Sequence, residues 1–212
     1  MPEVSHRSPG RRPCHLVARL ADGGVLVLRP LRSGEGEVLE SVFQGLSPQS
    51  RQWRYLVPTP RLTSGARRVL AEVDGRDHVA WVAMVQGSPV GICRSLRTSG
   101  DAAELAFEVI DAEQRRGIAS VLVDAVTTVA HANGVAWVEA SVAPGNQAAV
   151  VLLSRLGMSL ALRDGLLEGR ARLRLMEPPR VDRTAVLTLA AQAAGPGREH
   201  PRGARSPDSR AG

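Results

Sequence analysis

The chain has 212 residues, 43% hydrophobic and 23% charged, which suits one well-buried domain and excludes a wholly disordered protein. Two cysteines, Cys14 and Cys93, exclude a disulfide framework or a zinc site at ligand spacing, and apolar runs such as Val79 to Val85 are far too short to span a bilayer. The formal net charge is +6 and all 27 basic residues are arginine, but an aromatic content of 3% disfavours base stacking and hence nucleic acid as a partner.

The N-terminus (MPEVSHRSPGRRPCH) is basic and lacks the apolar core of a signal peptide, so a cytoplasmic protein without membrane contact is expected. Residues 1–20 read as a disordered arm. Val25 to Arg29 is expected as a strand ended by Pro30. Ser33 to Leu46 reads as a helix capped by Ser33, with Val38, Leu39, Val42 and Phe43 apolar. The Arg- and Pro-rich segment SPQSRQWRYLVPTPRLT carries no clear element. Its Arg51, Arg54 and Arg61, with Arg67 and Arg68 beyond, flank the expected substrate entrance; attraction of an acidic substrate is one reading, and the all-arginine bias favours the other, solvated surface. Ser64 to Val73 is a second helix. His78 to Gln86 and Val90 to Arg97 form a hairpin across Gly87-Ser88. Ala103 to Val109 is a strand and Gly117 to Ala132 an amphipathic helix stopped by Asn133-Gly134. Val135 to Val142 is a strand, Asn146 to Arg155 a helix, and two final strands bracket Asp164-Gly165. The domain should span 21–177. Residues 178–212 read as a disordered basic tail with a short helix over 182–194, Val186, Leu187 and Ala190 forming a weak stripe. The alternation with hairpins predicts an α/β protein with a mixed sheet.

The chemistry lies in AELAFEVIDAEQRRGIASVLVDAVTTVAHANG. A strand ends at Val109, a short polar turn follows, and a glycine opens a long helix. Backbone N–H groups from Arg115 through Ser120 then point at one spot, with the positive end of the helix dipole behind them. That is an anion site suited to a pyrophosphate. Gly117 leaves the space a phosphate needs, and Ala119 keeps the next turn open. The glycine spacing fits neither the dinucleotide fingerprint nor the P-loop. Upstream, Glu104, Ala106 and Glu108 alternate onto one face of the strand, and Leu105, Phe107 and Val109 onto the other.

Gln114-Arg115-Arg116-Gly117-Ile118-Ala119 resembles the Q/R-x-x-G-x-G/A motif of the GNAT N-acetyltransferase family. Downstream, Asn146-Gln147-Ala148-Ala149, then Arg155-Leu156-Gly157-Met158, is similar to that family's N-x-x-A helix closing in a Gly-aromatic step. The segment SPQSRQWRYLVPTPRLT resembles the equivalent region of actinobacterial-type protein lysine acetyltransferases. The resemblance covers Val25 to Met176. It implies a mixed, V-shaped sheet of about seven strands with helices on both faces and its fourth and fifth strands splayed apart. Acetyl-CoA is the implied co-substrate, with no metal. Its pantetheine would pair with the backbone of Phe107, Glu108 and Val109, and its pyrophosphate with the amides of Arg115, Arg116, Gly117, Ile118, Ala119 and Ser120. Asn146 would lie near the pantetheine arm. An amine, on a protein lysine or a small molecule, would attack the thioester directly, with the oxyanion held by a strand N–H near Val109.

A protonated amine needs a base, and Glu104 is the first candidate, at a position where some members of the family carry a glutamate; Glu139 is the reserve. The alternative for Glu104 and Glu108 is a pair of exposed strand carboxylates. The family's tyrosine acid is replaced by Leu153, the lone tyrosine being Tyr55, and the aromatic after Gly157 by Met158, a packing exchange. Leu153 keeps open a second reading, a catalytically weak acyl-CoA-binding regulatory domain. The arginine-bearing ends keep open a third, a nucleic-acid binder. His131 reads as solvated, His78 has no partner at motif spacing, Cys93 reads as a buried thiol, and Trp81 and Trp137 read as core. A homodimer is compatible with the sequence.

Overall fold

The computed structural model describes residues 14–194, which build an eight-stranded sheet with helices on both faces. The strands are β1 (Leu16–Arg19), β2 (Val25–Pro30), β3 (His78–Val85), β4 (Ser88–Ser99), β5 (Ala102–Val109), β6 (Trp137–Val142), β7 (Leu160–Arg163) and β8 (Leu166–Arg172). They pair in the order β1-β2-β3-β4-β5-β6-β8-β7, all antiparallel except β5 with β6. The mixed sheet is the expected one. The strand beyond the expected seven is β1, which pairs with β2 through Val17 and Val27. It falls inside the stretch read as a disordered arm, so that boundary moves back; residues 1–13 lie outside the described residues.

Both faces of the centre are covered, which is why β3 is a nearly continuous apolar run. Val79, Trp81 and Ala83 point into one core with the long helix α4 (Ile118–Ala132). Ala80 and Val82 point into a second core with Leu39, Val42 and Phe43 of the helix α1 (Gly36–Gln44). Between β3 and β4 the chain reverses through Gln86 at φ 49° and Gly87 at φ 82°, the backbone of a tight hairpin turn.

Three local readings need correction. α1 starts at Gly36 rather than after Ser33, because Gly34 at φ 87° breaks the helical path. The Glu35 carboxylate there accepts from the Arg32 N–H and pairs with Arg29. The segment read as lacking an element contains the helix α2 (Pro48–Tyr55), with Ser47 accepting from the Ser50 N–H as its N-cap and Pro48 in the first turn. Trp137 is only half-buried, its ring stacked by the guanidinium groups of Arg170 and Arg172 at 5.0 and 5.7 Å. The next helix, α3 (Ser64–Ala71), stands where it was expected.

After β6 come α5 (Gln147–Arg155) and the β7–β8 hairpin, and the chain closes with α6 (Arg183–Ala194). The last is the short helix read into the tail, but it is docked rather than solvated. Val186 and Leu189 are buried in the α4 core, while Leu187 is exposed. The fully buried carboxylate of Asp124 on α4 accepts the N–H groups of Arg180 and Val181 at 2.6 and 3.2 Å and faces Arg183 at 3.5 Å. The sequence reading of a disordered tail therefore does not hold up to Ala194; residues 195–212 lie outside the described residues.

Candidate active site

β5 and β6 pair at only three positions, Ala102 with Trp137, Ala103 with Val138 and Glu104 with Glu139. Past Glu104 no pairing is made and the strands diverge, the splay expected between these two strands. The antiparallel ladder fixes which way the free edge points. Ile110 N–H donates to the Val90 carbonyl on the β4 side. Alternate residues share that direction, so Glu108 and Ala106 turn their main chain to β4 while Phe107 and Val109 turn theirs to the gap. The Val109 carbonyl accepts from Gln114 Nε2 at 3.0 Å. Of the three residues expected to offer backbone to a ligand, Phe107 and Val109 therefore face the gap and Glu108 does not.

The gap runs into the start of α4. A 3-10 turn over Asp111–Glu113 leads to Arg115 at φ 63° and Gly117 at φ 86°. Gly117 caps α4 without a side-chain bond, and the first intrahelical bond is Val121 N–H to the Gly117 carbonyl. The amides of Ile118, Ala119 and Ser120 are thus the orphan donors of a helix N-terminus. A Cβ on Gly117 would meet no atom within 4 Å and would stand in open space. Arg115 is exposed on the cleft wall. Arg116 turns away, tied to Asp22 at 2.6 Å and to Glu113, which anchors the loop to the β1–β2 turn. Asn146 caps α5, its Oδ1 accepting from the Ala149 N–H at 3.1 Å, and lines the opposite wall.

Together these walls enclose a cleft of about 290 Å³. It is lined by the expected Glu104, Phe107, Glu108, Val109, Arg115, Gly117, Ile118, Ala119, Ser120 and Asn146. Glu104 is exposed at the mouth, with no ion pair or hydrogen bond among the described residues. Its register partner Glu139 does not line the cleft and is engaged by Arg170 at 3.3 Å and the Thr98 hydroxyl at 3.3 Å. Leu153 is buried and lines the cleft, so no hydroxyl stands there. Met158 is buried packing.

The far wall comes from α2, which sequence reasoning missed. Ser50, Trp53 and Arg54 line the cleft, and Trp53 Nε1 lies 3.4 Å from where a Cβ on Gly145 would sit, so the helix reaches across to the α5 side. α2 is tethered by Asp111, which accepts from the Ser47 N–H at 2.8 Å and from the Ser47 and Ser50 hydroxyls. Burial would raise the Asp111 carboxyl, but these donors outweigh it and hold it below the usual aspartate range. Arg54 is not solvated surface: its side chain is 14% exposed and its Nε lies 3.2 Å from Glu108 Oε2. Glu108 is buried, not an exposed strand carboxylate. The Ser47-Pro48 pair was the available sequence signal for α2. Nothing local could have joined Arg54 to Glu108.

Other singled-out residues lie outside the cleft. Cys93 is fully buried, and burial pushes its thiol well above the usual range. His131 is exposed. His78 is buried, its Nδ1 2.8 Å from the Glu72 carbonyl and its Nε2 3.3 Å from Arg94. Tyr55 packs beside Phe43 and does not line the cleft, but it stands next to the Arg54–Glu108 pair: Arg54 lies 5.1 Å from its ring centroid, and burial and Glu108 push its hydroxyl well above the usual range. Among the described residues no group of three His, Cys, Asp or Glu could hold a metal ion, and no helix is long and apolar enough to cross a membrane.

Comparison with known proteins agrees with this architecture. The acetyltransferase (GNAT) domain family matches residues 26–159. An acetyltransferase of Pseudomonas aeruginosa is 30% identical over 125 residues, which span 57% of this chain and 67% of that protein. The GNAT domain of S. lividans PAT superposes with a TM-score of 0.71 at 28% identity, over 77% of this chain and 100% of that one. A cAMP-binding acyltransferase from Mycobacterium smegmatis gives 0.62 at 23% identity over 86% of this chain and 56% of that one, a likeness of fold alone.

Proposed function

Because the chain belongs to the GNAT acetyltransferase family and is an acyltransferase by that membership, we propose that it moves the acetyl group of acetyl-CoA to an amine by direct attack. The observation that carries this reading is the free edge of β5 running into the free N-terminus of α4. A linear donor with a peptide-like arm and an anionic end needs that sequence of partners: strand N–H and C=O groups first, orphan amides next.

In this reading the Phe107 main chain pairs with the pantetheine arm, and the amides from Arg115 to Ser120 hold the pyrophosphate. Asn146, already spent as a cap through Oδ1, offers its Nδ2 to the arm. The thioester supplies an activated acyl carbon and a thiolate leaving group. The Val109 N–H stands ready for the negative charge that develops on the acyl oxygen, at a site where α2 limits water. Glu104 takes the proton of the attacking amine through water. Leu153 donates nothing, and the thiolate departs as such, a tolerable leaving group near neutral pH. The acceptor is a protein lysine or a small-molecule amine. The catalytic unit runs from β1 to α6, and a cytoplasmic location suits an acetyl-CoA-dependent reaction.

The test is thiol release from acetyl-CoA with an amine panel, for wild type and Glu104→Gln. Wild type should release thiol only when an amine is present. The variant should keep its acetyl-CoA affinity and lose about 10²–10⁴-fold in rate at neutral pH. The deficit should shrink as rising pH delivers more neutral amine. A deficit constant with pH assigns Glu104 to positioning. Acetyl-CoA binding without turnover favours the regulatory-domain reading.

A further inference from the structure

Beneath α2, on the β5 face that carries Glu104, lies a buried charge cluster that the acetyl-transfer chemistry does not use. Glu108, its side chain 4% exposed, lies 3.2 Å from Arg54 Nε, yet Glu108 Oε2 and Arg54 Nε both lack a hydrogen bond. Arg94 of β4 is 4% exposed and stands on the same face, in register with Ala106. It donates to the Leu70 carbonyl at 2.9 Å, but its Nε and one terminal nitrogen are buried without a partner. His78 beside it is kept from protonating by burial and by Arg94. The tally is two guanidinium groups against one carboxylate, a surplus positive charge in a site largely withdrawn from water. Burial and the neighbouring Arg54 lower the Arg94 pKa to about 10. An uncompensated buried cation is expensive, and the ordinary remedy is an anion.

The surplus faces the cleft through Arg54 and Glu108. Arg54 and Glu108 line the cleft, and Arg54 has no hydrogen bond among the described residues that uses its terminal nitrogens. Glu104 sits four residues away along the same strand face, about 13 Å at strand spacing. Val109 directly follows Glu108, so the acyl group that its N–H meets in the proposed reaction lies at the Arg54–Glu108 end of this face. From this we infer that the acceptor carries a carboxylate near its reacting amine and that Arg54 binds it, with Arg94 adding charge from behind. The inference rests on the acetyl-transfer reading. A carboxylate fits better than a phosphate, because the surplus is a single charge and the planar fork of arginine matches a carboxylate oxygen pair. A dianion would overshoot and would press against Glu108. Polyamines and aminoglycosides carry only cations and would meet this wall unfavourably.

The test uses L-amino acids, each paired with its carboxamide and its decarboxylated amine, in the thiol-release assay. A parallel titration compares N-acetylglycine with N-acetylglycinamide as binding probes in the presence of CoA. Wild type should prefer the acid over the carboxamide by about 10- to 100-fold in kcat/KM, and in affinity for the probe pair. Arg54→Gln should erase the preference while leaving acetyl-CoA affinity intact; Arg54→Lys should keep part of it. Since Arg54→Gln leaves Glu108 with less compensation, the neutral double variant Arg54→Gln/Glu108→Gln provides the folded control. Glu108→Gln alone removes the competing carboxylate and should lower KM for acids, an effect a purely structural ion pair would not produce. Carboxamides or plain amines that serve as well as acids would overturn the inference and leave acetyl transfer standing. Thiol release with neither class would overturn both.

Discussion

Replacing Gly117 by alanine separates what this glycine does for the fold from what it does for the donor. At φ 86° a side chain is in the left-handed region, which costs about 1–2 kcal/mol. No atom lies within 4 Å of the Cβ position, so no steric clash adds to that cost in the free protein. In the proposed reading a pyrophosphate approaches the amides of Ile118, Ala119 and Ser120 through this open space. A methyl group there holds the phosphate off at least one of them. A hydrogen bond to a charged oxygen is worth about 1.5–3 kcal/mol, so acetyl-CoA should bind about 10- to 150-fold more weakly. Gly117→Asn sharpens the distinction, because asparagine tolerates the left-handed region. It should recover stability and not affinity. Thermal melts report the first quantity, and calorimetric titration with acetyl-CoA and with acetyl-pantetheine reports the second. Acetyl-pantetheine lacks the pyrophosphate and should bind both variants as it binds wild type. Equal weakening of the two donors, or unchanged acetyl-CoA affinity in a folded variant, would refute the pyrophosphate assignment.

Asp124→Ala strips two backbone N–H groups and Arg183 of a buried acceptor. It should cost about 3 kcal/mol or more, with amide exchange accelerated first over 180–194; exchange unchanged there would contradict the clamp. Burial and the Arg94 cation hold His78 below its ordinary pKa, so the unfolded chain takes a proton that the folded chain refuses. Stability is then full above about pH 6.5 and falls as pH drops toward the folded value, and His78→Gln should flatten that limb in melts between about pH 7 and 5. Gly91→Ala places a Cβ 2.9 Å from the Glu108 carbonyl and 3.1 Å from Val109 Cγ2. It should cost about 1–3 kcal/mol in denaturant unfolding and lower acetyl transfer with it, because the displaced strand carries the free edge; a variant as stable as wild type would contradict the close approach.

What was legible in the sequence was local. The β5–turn–α4 unit could be read because period-2 alternation, a turn and a helical stripe follow one another within Ala102 to Ala132, and Gly117 marks the junction. Asn146 was readable for the same reason, as a cap at its own helix. What was not legible is held from afar. β1 is four residues long and exists by pairing with β2. α2 is mostly polar, with no apolar stripe beyond Trp53 and Tyr55, and is fixed by Asp111, more than sixty positions later in the chain. Arg54 was taken for surface because no local pattern announces Glu108, and an all-arginine basic complement hides which arginines are placed. α6 shows two buried residues, Val186 and Leu189, and its docking depends on a carboxylate in a different helix. Elements made by their own periodicity were found; β1, made by pairing, and α2, made by a distant side chain, were missed, and α6 was read as a helix without its docking.

Direct attack requires donor and acceptor in the cleft together, and the described cleft holds no thiol nucleophile, Cys93 being buried away from it. Initial rates of thiol release with acetyl-CoA and an accepted amine both varied test this most directly. Intersecting double-reciprocal lines, with no CoA released until the amine is added, are the predicted result. Parallel lines, together with a stoichiometric burst of CoA in the absence of amine, would contradict it.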